Sequence, residues 1–367
     1  MGNITIKNLV KCFGRTMVLN DISLEVNKNE VTVLVGPSGC GKTTLMRCIV
    51  GFETPESGEI FIDGQNVQSL KPKDRKIAMV FQYYSLYPNM NVRQNLSAGL
   101  ENTTDLSREE IYKKIGEMAK LLNISKLLDR KPSQLSGGEA QRVAIGRALV
   151  RNPEIIFLDE PLSAVDTKLR RELRSEIRNI LKEFEVTAIY VTHDQEEAMA
   201  IADNMVLMGN GKIYDVGSPE QMYREPKTKY AASLLGRPPM NFFRVSVQAD
   251  AGEYHLANEE LSFDVSENYF QRYLEKYKDK EVIVGIRPSD ISLQGGMAHD
   301  TKFGGTVEDV ENLGDEIYIY MSNQEQKYVV KVPETEHIEP GSQQYFKANE
   351  MSLHVFDADT EKSIIYQ

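Results

Sequence analysis

Tryptophan is absent from the 367 residues, and cysteine occurs only three times, at positions 12, 40 and 48. The count is odd and the spacing fits no metal-ligand pattern, so neither a disulfide framework nor a zinc site is expected. No apolar run approaches the roughly 20 residues that a membrane-crossing helix needs. The opening Met1-Gly2-Asn3-Ile4-Thr5-Ile6 lacks the basic and apolar regions of a secretory leader. Ile6 also breaks the N-myristoylation pattern. A cytoplasmic chain is expected, meeting a membrane only through a partner. Basic residues run short at one end: residues 237–367 hold 12 Lys and Arg against 24 Asp and Glu, whereas residues 1–236 hold 31 against 30. The net charge of −11 therefore lies in the C-terminal part. Such a surface repels nucleic acid and anionic lipid. The length exceeds what a single core usually fills, so two domains are expected.

What the chain does have begins with Gly36-Pro37-Ser38-Gly39-Cys40-Gly41-Lys42-Thr43. It follows the β-branched run Val31-Thr32-Val33-Leu34-Val35 and precedes a helical stretch starting at Thr44, the strand–loop–helix setting of a phosphate loop. Glycines at 36, 39 and 41 let the backbone turn its N–H groups inward as an anion nest at a helix N-terminus. Lys42 should reach the β- and γ-phosphates, and the Thr43 hydroxyl should ligate Mg²⁺.

A second apolar run, Ile155-Ile156-Phe157-Leu158, ends in Asp159-Glu160. An acid pair there serves either as a solvated strand end and helix cap, or as a Walker B site. In the second case Asp159 holds Mg²⁺ and Glu160 polarises the attacking water, the positioning that phosphoryl transfer depends on. His193 closes a third strand, Val186-Thr187-Ala188-Ile189-Tyr190-Val191, and is the natural third group. Leu135-Ser136-Gly137-Gly138-Glu139-Ala140-Gln141-Arg142 lies between these motifs. Ser136 with Glu139 forms a capping box, and the helix start it exposes can offer N–H groups to an anion.

In these motifs residues 1 to about 235 resemble the ATP-binding subunits of ABC transporters. The resemblance implies an α/β P-loop NTPase with a RecA-like core, an antiparallel β subdomain and a helical subdomain at about 86–150. It implies ATP and Mg²⁺ as cofactors, with Gly36, Pro37, Ser38, Gly39, Cys40, Gly41, Lys42, Thr43 and Thr44 around the phosphates. Phe13 would stack on adenine, and Thr43, Gln82 and Asp159 would surround the metal. Lys42, Gln82, Glu160 and His193 would act in catalysis, His193 as the switch histidine. Ser136, Gly137, Gly138 and Gln141 of the signature, with Asp166 of the D-loop, would face nucleotide held by the opposite member of a head-to-tail homodimer. Two departures are small: Ser163-Ala164-Val165-Asp166 has Val where the family usually has Leu, and Phe13 stands where Tyr is more common.

Alternation near 3–30 and 55–68 predicts an antiparallel sheet beside the nucleotide core. Ile111, Ile115, Met118 and Leu122, with Ser107 as N-cap, predict a helix in the inserted subdomain. Leu169, Leu173, Ile177, Ile180, Leu181 and Phe184 predict another helix, and Gly209-Asn210-Gly211 predicts a hairpin turn. Tyr83-Tyr84-Ser85-Leu86-Tyr87-Pro88-Asn89-Met90 either packs on a neighbouring helix or, as in the resembled importers, receives a coupling helix from each of two permease subunits.

Residues 236–367 turn to short strands such as Val282-Ile283-Val284-Gly285-Ile286 and Tyr328-Val329-Val330-Lys331-Val332, which suggests a small barrel. Gly285-Ile286-Arg287-Pro288-Ser289-Asp290-Ile291, Glu311-Asn312-Leu313-Gly314-Asp315-Glu316 and Phe356-Asp357 resemble the OB-like (TOBE) regulatory region of maltose-type importer ATPases. That second likeness implies import of an oligosaccharide, a polyol or a glycerol phosphate derivative, with an extracytoplasmic solute-binding protein as indirect partner. Inorganic-anion import is the alternative. An ABC protein acting on DNA or the ribosome is disfavoured by the absence of a coiled-coil insertion or a second cassette.

Overall fold

The computed structural model describes residues 2–101, 106–293, 303–314, 316–323, 326–333, 336 and 338–366; Asp315, named above, lies outside them. Two compact units divide the chain, Met1–Glu220 and Gln221–Gln367. The motif-based junction was expected at 235. The difference arises because residues 223–235 are stitched to later chain. Arg287 donates to the Leu235 carbonyl at 2.7 Å and to that of Tyr223, and Lys229 N–H donates to the Glu361 carbonyl at 2.9 Å.

In the first unit Ile77–Val80, Ile155–Asp159, Thr187–Thr192, Val31–Val35 and Asn204–Gly209 run parallel as neighbours, and Lys212–Gly217 closes the sheet antiparallel. The central strands are apolar throughout because helices cover both faces of a parallel sheet. All four strands from Ile77–Val80 to Val31–Val35 end at one edge, where crossover loops leave room for a ligand. The hairpin at Asn210 and Gly211 has φ of 47° and 73°, the two left-handed residues of a tight I′ turn.

Thr16–Val26, Ile4–Phe13, Ser57–Ile62 and Gln65–Asn66 form the expected antiparallel sheet. Ile4, Ile6, Leu9 and Leu24 join Leu34, Ile49, Phe157 and Val191 in one apolar core. The inserted segment supplies helices Val92–Glu101, Arg108–Leu121 and Gly137–Leu149. Ser107 caps the second through a reciprocal bond with Glu110, an arrangement worth about 1 kcal/mol. Among the described residues no helix is long and apolar enough to cross a membrane.

The second unit holds two five-stranded antiparallel sheets. Phe243, Phe263, Phe303, Tyr328 and Phe346 interlock, largely edge-on, in one core shared by both. The Asn241 side chain exchanges two bonds, each 2.8 Å, with the backbone of Val329 and so ties one sheet to the other.

Candidate functional site

The phosphate loop leaves Val31–Val35 and enters helix Lys42–Val50. Gly41 has φ of 107°, and a Cβ there would stand 2.8 Å from the Val18 carbonyl oxygen. A Cβ on Gly36 would stand 2.1 Å from the Met208 carbonyl oxygen, so the loop lies directly on its own sheet. Gly211 N–H, from the hairpin turn, donates to the Cys40 carbonyl at 3.2 Å and braces the loop from behind. Pro37, Ser38, Gly39 and Thr43 are exposed, Thr44 is half-buried, and Gly36, Cys40, Gly41 and Lys42 are buried.

Helix Lys42–Val50 has no side chain capping its N-terminus and no acid in its first turn. Its unpaired N–H groups and positive dipole end thus face an anion site, and ATP phosphates fit it. Lys42 Nζ donates to the carbonyls of Gly36 and Pro37 at 2.8 and 2.9 Å, which holds the ammonium in the mouth of the loop.

Thr43 Oγ1 donates to Asp159 Oδ1 at 3.4 Å. Burial, and then the neighbouring Glu160, push the Asp159 carboxyl above its ordinary value. A hydroxyl beside a carboxylate is the hard oxygen donor set that suits Mg²⁺, and a bound cation would bring that carboxyl back down.

Glu160 has φ of 42°, an unusual angle for a residue with a side chain. Its N–H donates to the Val191 carbonyl at 3.0 Å, and Ser163 Oγ donates to its carbonyl at 2.8 Å. The strained backbone fixes where the carboxylate points. Gln82 Nε2 donates to Glu160 Oε2 at 3.3 Å, and His193 Nδ1 lies 3.2 Å from Oε1. Three strand ends thereby bring Gln82, Glu160 and His193 into one line, with Thr43 and Asp159 beside them.

Other expected residues stand apart: among the described residues no hydrogen bond joins Phe13, Ser136, Gly137, Gly138 or Asp166 to that line. Phe13 is 48% exposed, with the Lys11 ammonium 5.0 Å from its ring centre. Ser136 caps helix Gly137–Leu149 as expected, its N–H donating to Glu139 Oε2 at 2.7 Å. Ser136 and Gly137 are exposed, while a Cβ on Gly138 would meet Leu169 at 2.6 Å. Asp166 is exposed and caps helix Thr167–Glu183 by accepting from Leu169 N–H at 3.0 Å.

Gln141, expected to face nucleotide, needs correcting. It is fully buried, because position 141 turns into the protein one helical turn after the exposed start, and among the described residues neither end of its amide has a partner. The sequence reading also missed several arginines that bind main-chain carbonyls. Arg75 donates to the carbonyls of Cys48 and Ile49 at 2.9 and 2.6 Å, Arg147 to Ser85, and Arg170 to Val165. A bond to a main-chain carbonyl leaves no charge pattern by which a sequence could betray it.

Residues 19–163 match the ABC transporter family, residues 236–291 the MalK OB fold domain, and residues 284–356 the TOBE domain. A glycerol-3-phosphate import ATP-binding protein, UgpC 1 of Rhizobium etli, is 41% identical over 98% of both chains. The trehalose/maltose import ATP-binding protein MalK of Thermococcus litoralis is 38% identical over 99% of this chain and 100% of its own. Among solved structures, the ATP-binding cassette MJ0796, a dimer in a post-hydrolysis state with ADP and phosphate, is 30% identical. It covers 59% of this chain and 98% of its own, with a TM-score of 0.53.

Proposed function

The chain belongs to the ABC transporter family of ATPases, and from that premise we propose that it powers import of a carbohydrate-type solute as one of two identical subunits. The observation that carries the hydrolytic part is the line Gln82–Glu160–His193 at the sheet edge, within the unit that also presents Lys42 and an uncapped helix N-terminus. Mg²⁺, when bound, would neutralise phosphate charge beside Thr43 and Asp159. Lys42 holds the β- and γ-phosphates. Glu160 accepts the proton of the attacking water, Gln82 orients that carboxylate, and His193 steadies it from the other side.

Import rather than another task is supported by relatives that match along nearly the whole chain and are named for glycerol 3-phosphate and for trehalose and maltose. A TOBE region at residues 284–356 points the same way. Ser136 and Gly137, exposed at the start of a helix, would complete the partner subunit's nucleotide site, with Gly138 packed beneath them against Leu169. The exposed aromatics around Tyr83 and Tyr87 would seat two permease subunits, which would hold the chain on the cytoplasmic face of the membrane. An extracytoplasmic solute-binding protein would act through those permeases.

The test is purification of the tagged chain from membranes in mild detergent, with the accompanying polypeptides identified. A permease pair should accompany it, and its solute-loaded binding protein should stimulate hydrolysis. Recovery of the chain without permeases, hydrolysing at full rate as a monomer, would sink the proposal.

A further inference from the structure

Between the D-loop and His193 lies a second layer of polar contacts that takes no part in holding nucleotide. Arg170 stands on helix Thr167–Glu183, one turn from the Asp166 cap. Its Nη2 donates to the Val165 carbonyl, inside the D-loop, at 3.0 Å. The same guanidinium places Nη1 3.6 Å from Asp194 and Nε 3.9 Å from Glu197.

Those two acids frame His193. The Asp194 carboxylate caps helix Gln195–Ile201, and its N–H donates to Thr192 Oγ1 at 3.0 Å. Thr192 Oγ1 donates in turn to Glu197 Oε2 at 2.9 Å, and Tyr190 donates to the same oxygen at 3.0 Å. Glu197 is only 3% exposed. Thr192 is therefore fastened directly to one buried carboxylate and Asp194 is tied to it through Thr192, and Arg170 reaches both that carboxylate and the D-loop main chain. Among the described residues its Nε has no hydrogen-bond partner, so the joint on the Glu197 side, at 3.9 Å, is slack and can tighten with a small displacement.

We propose that Arg170 is a positioning residue that passes displacement of the D-loop turn Val165–Asp166 to His193, and so sets the contact between His193 and Glu160. This rests on the reading that Glu160 and His193 serve hydrolysis. A D-loop pressed by a second subunit would then align the histidine of its own chain. Hydrolysis would follow closure of the pair instead of nucleotide binding alone.

The experiment measures single-turnover hydrolysis of radiolabelled MgATP by the full chain in the wild-type and His193→Ala backgrounds. Arg170→Met should lower the rate about tenfold in the wild type with ATP affinity held. In the His193→Ala background it should cost nothing more, because both changes break one linkage. Arg170→Lys, which keeps the charge without the fork, should fall between. Arg174→Met is the control: Arg174 bonds Asp194 and Glu196 at 3.5 and 3.1 Å, and the structure gives it no bond to the D-loop main chain. Equal losses from Arg170→Met in both backgrounds, no loss in either, or an Arg174→Met profile matching it would overturn the proposal. If Glu160→Gln or His193→Ala alone hydrolysed at the wild-type rate, the reading of the site itself would fall instead.

Discussion

Arg147 clasps Ser85: Nη1 donates to the Ser85 carbonyl at 2.7 Å and Nη2 to the preceding Tyr84 carbonyl at 3.2 Å. Tyr84 and Ser85 have φ of 57° and 48°, consecutive left-handed residues that each carry a Cβ. Such a backbone costs about 1–3 kcal/mol per residue and persists only where its surroundings hold it. Arg147 supplies that hold from the signature helix, with its guanidinium 5.4 Å from the Tyr87 ring centre. Arg147→Met should lower stability by about 2 kcal/mol. It should also loosen the loop, so that chymotrypsin cuts faster after Tyr83 and Tyr84. Denaturant titration by circular dichroism and timed proteolysis check both; an unchanged midpoint and cleavage rate would refute the clasp.

Glu160 and Lys42 should fail in different ways. Glu160→Gln keeps the shape and the Gln82 neighbour but removes the base, so hydrolysis should fall by about 10²-fold or more while ATP still binds. With ATP it should elute as a stable dimer in gel filtration. Lys42→Ala removes the ammonium that meets the phosphates and should weaken nucleotide binding itself. A Glu160→Gln protein that turns over at the wild-type rate would remove Glu160 from the mechanism.

The elements that sequence patterning exposed are those built by local rules. The phosphate loop, the Ser136 and Ser107 caps and the Gly209-Asn210-Gly211 turn each depend on a few adjacent residues, and each stands where its spacing placed it. Walker B and His193 were legible because both terminate apolar strands, and parallel strands deliver their ends to one edge. Gln141 was misread because helical phase, not proximity to a motif, decides which way a side chain turns. Arg75, Arg147 and Arg170 were invisible because a main-chain carbonyl is the same acceptor in every residue. The attachment of residues 223–235 to the later chain was not legible for a related reason: bonds between residues 52 to 132 apart in sequence form only once the chain is folded.

Cys40 and Cys48 should differ sharply toward an alkylating reagent. Burial pushes the Cys48 thiol up to about 11, leaving almost no thiolate at neutral pH. Cys40 is 6% exposed, and the Lys42 ammonium stands 3.8 Å from its sulfur. Opening of the phosphate loop should therefore admit the reagent, and ATP should slow that opening. With Cys12 replaced by serine, mass spectrometry should show adducts at Cys40 in step with lost hydrolysis, and ATP should protect both. Full activity after stoichiometric modification of Cys40 would contradict this.

Tyr83 and Tyr87, rather than Tyr84, present the aromatic surface of the loop. Tyr83 is 78% exposed and Tyr87 51%, whereas the Tyr84 hydroxyl is buried beside Gly137. Phe52 and Phe81, stacked at 6.5 Å, add two half-exposed rings to the same unit. Tyr83→Ala should lower the solute moved per ATP hydrolysed about tenfold in vesicles carrying the permease pair. Tyr84→Ala should act mainly on stability. An unchanged coupling ratio in Tyr83→Ala would move the permease contact elsewhere.

In the second unit His354 gives stability a pH dependence of definite sign. Burial, and then the positive charge of Arg287, lower its pKa to about 4, and among the described residues its Nδ1 has no hydrogen-bond partner. The unfolded chain, with an ordinary imidazole near 6.5, binds a proton between pH 6.5 and 4 where the native ring does not. Unfolding therefore gains on acidification across that window, and the stability present above pH 6.5 falls by roughly 2–3 kcal/mol by pH 4. Glu308, Glu316 and Asp357 have lowered carboxyl values, so their contribution disappears only at more acidic pH. His354→Phe should flatten the slope between pH 7 and 5 and leave the acid limb below it. Because the chain has no tryptophan, the measurement is a denaturant midpoint followed by circular dichroism at each pH. Parallel slopes for wild type and variant over pH 7 to 5 would show that the ring titrates alike in both states, and the assignment to His354 would fail.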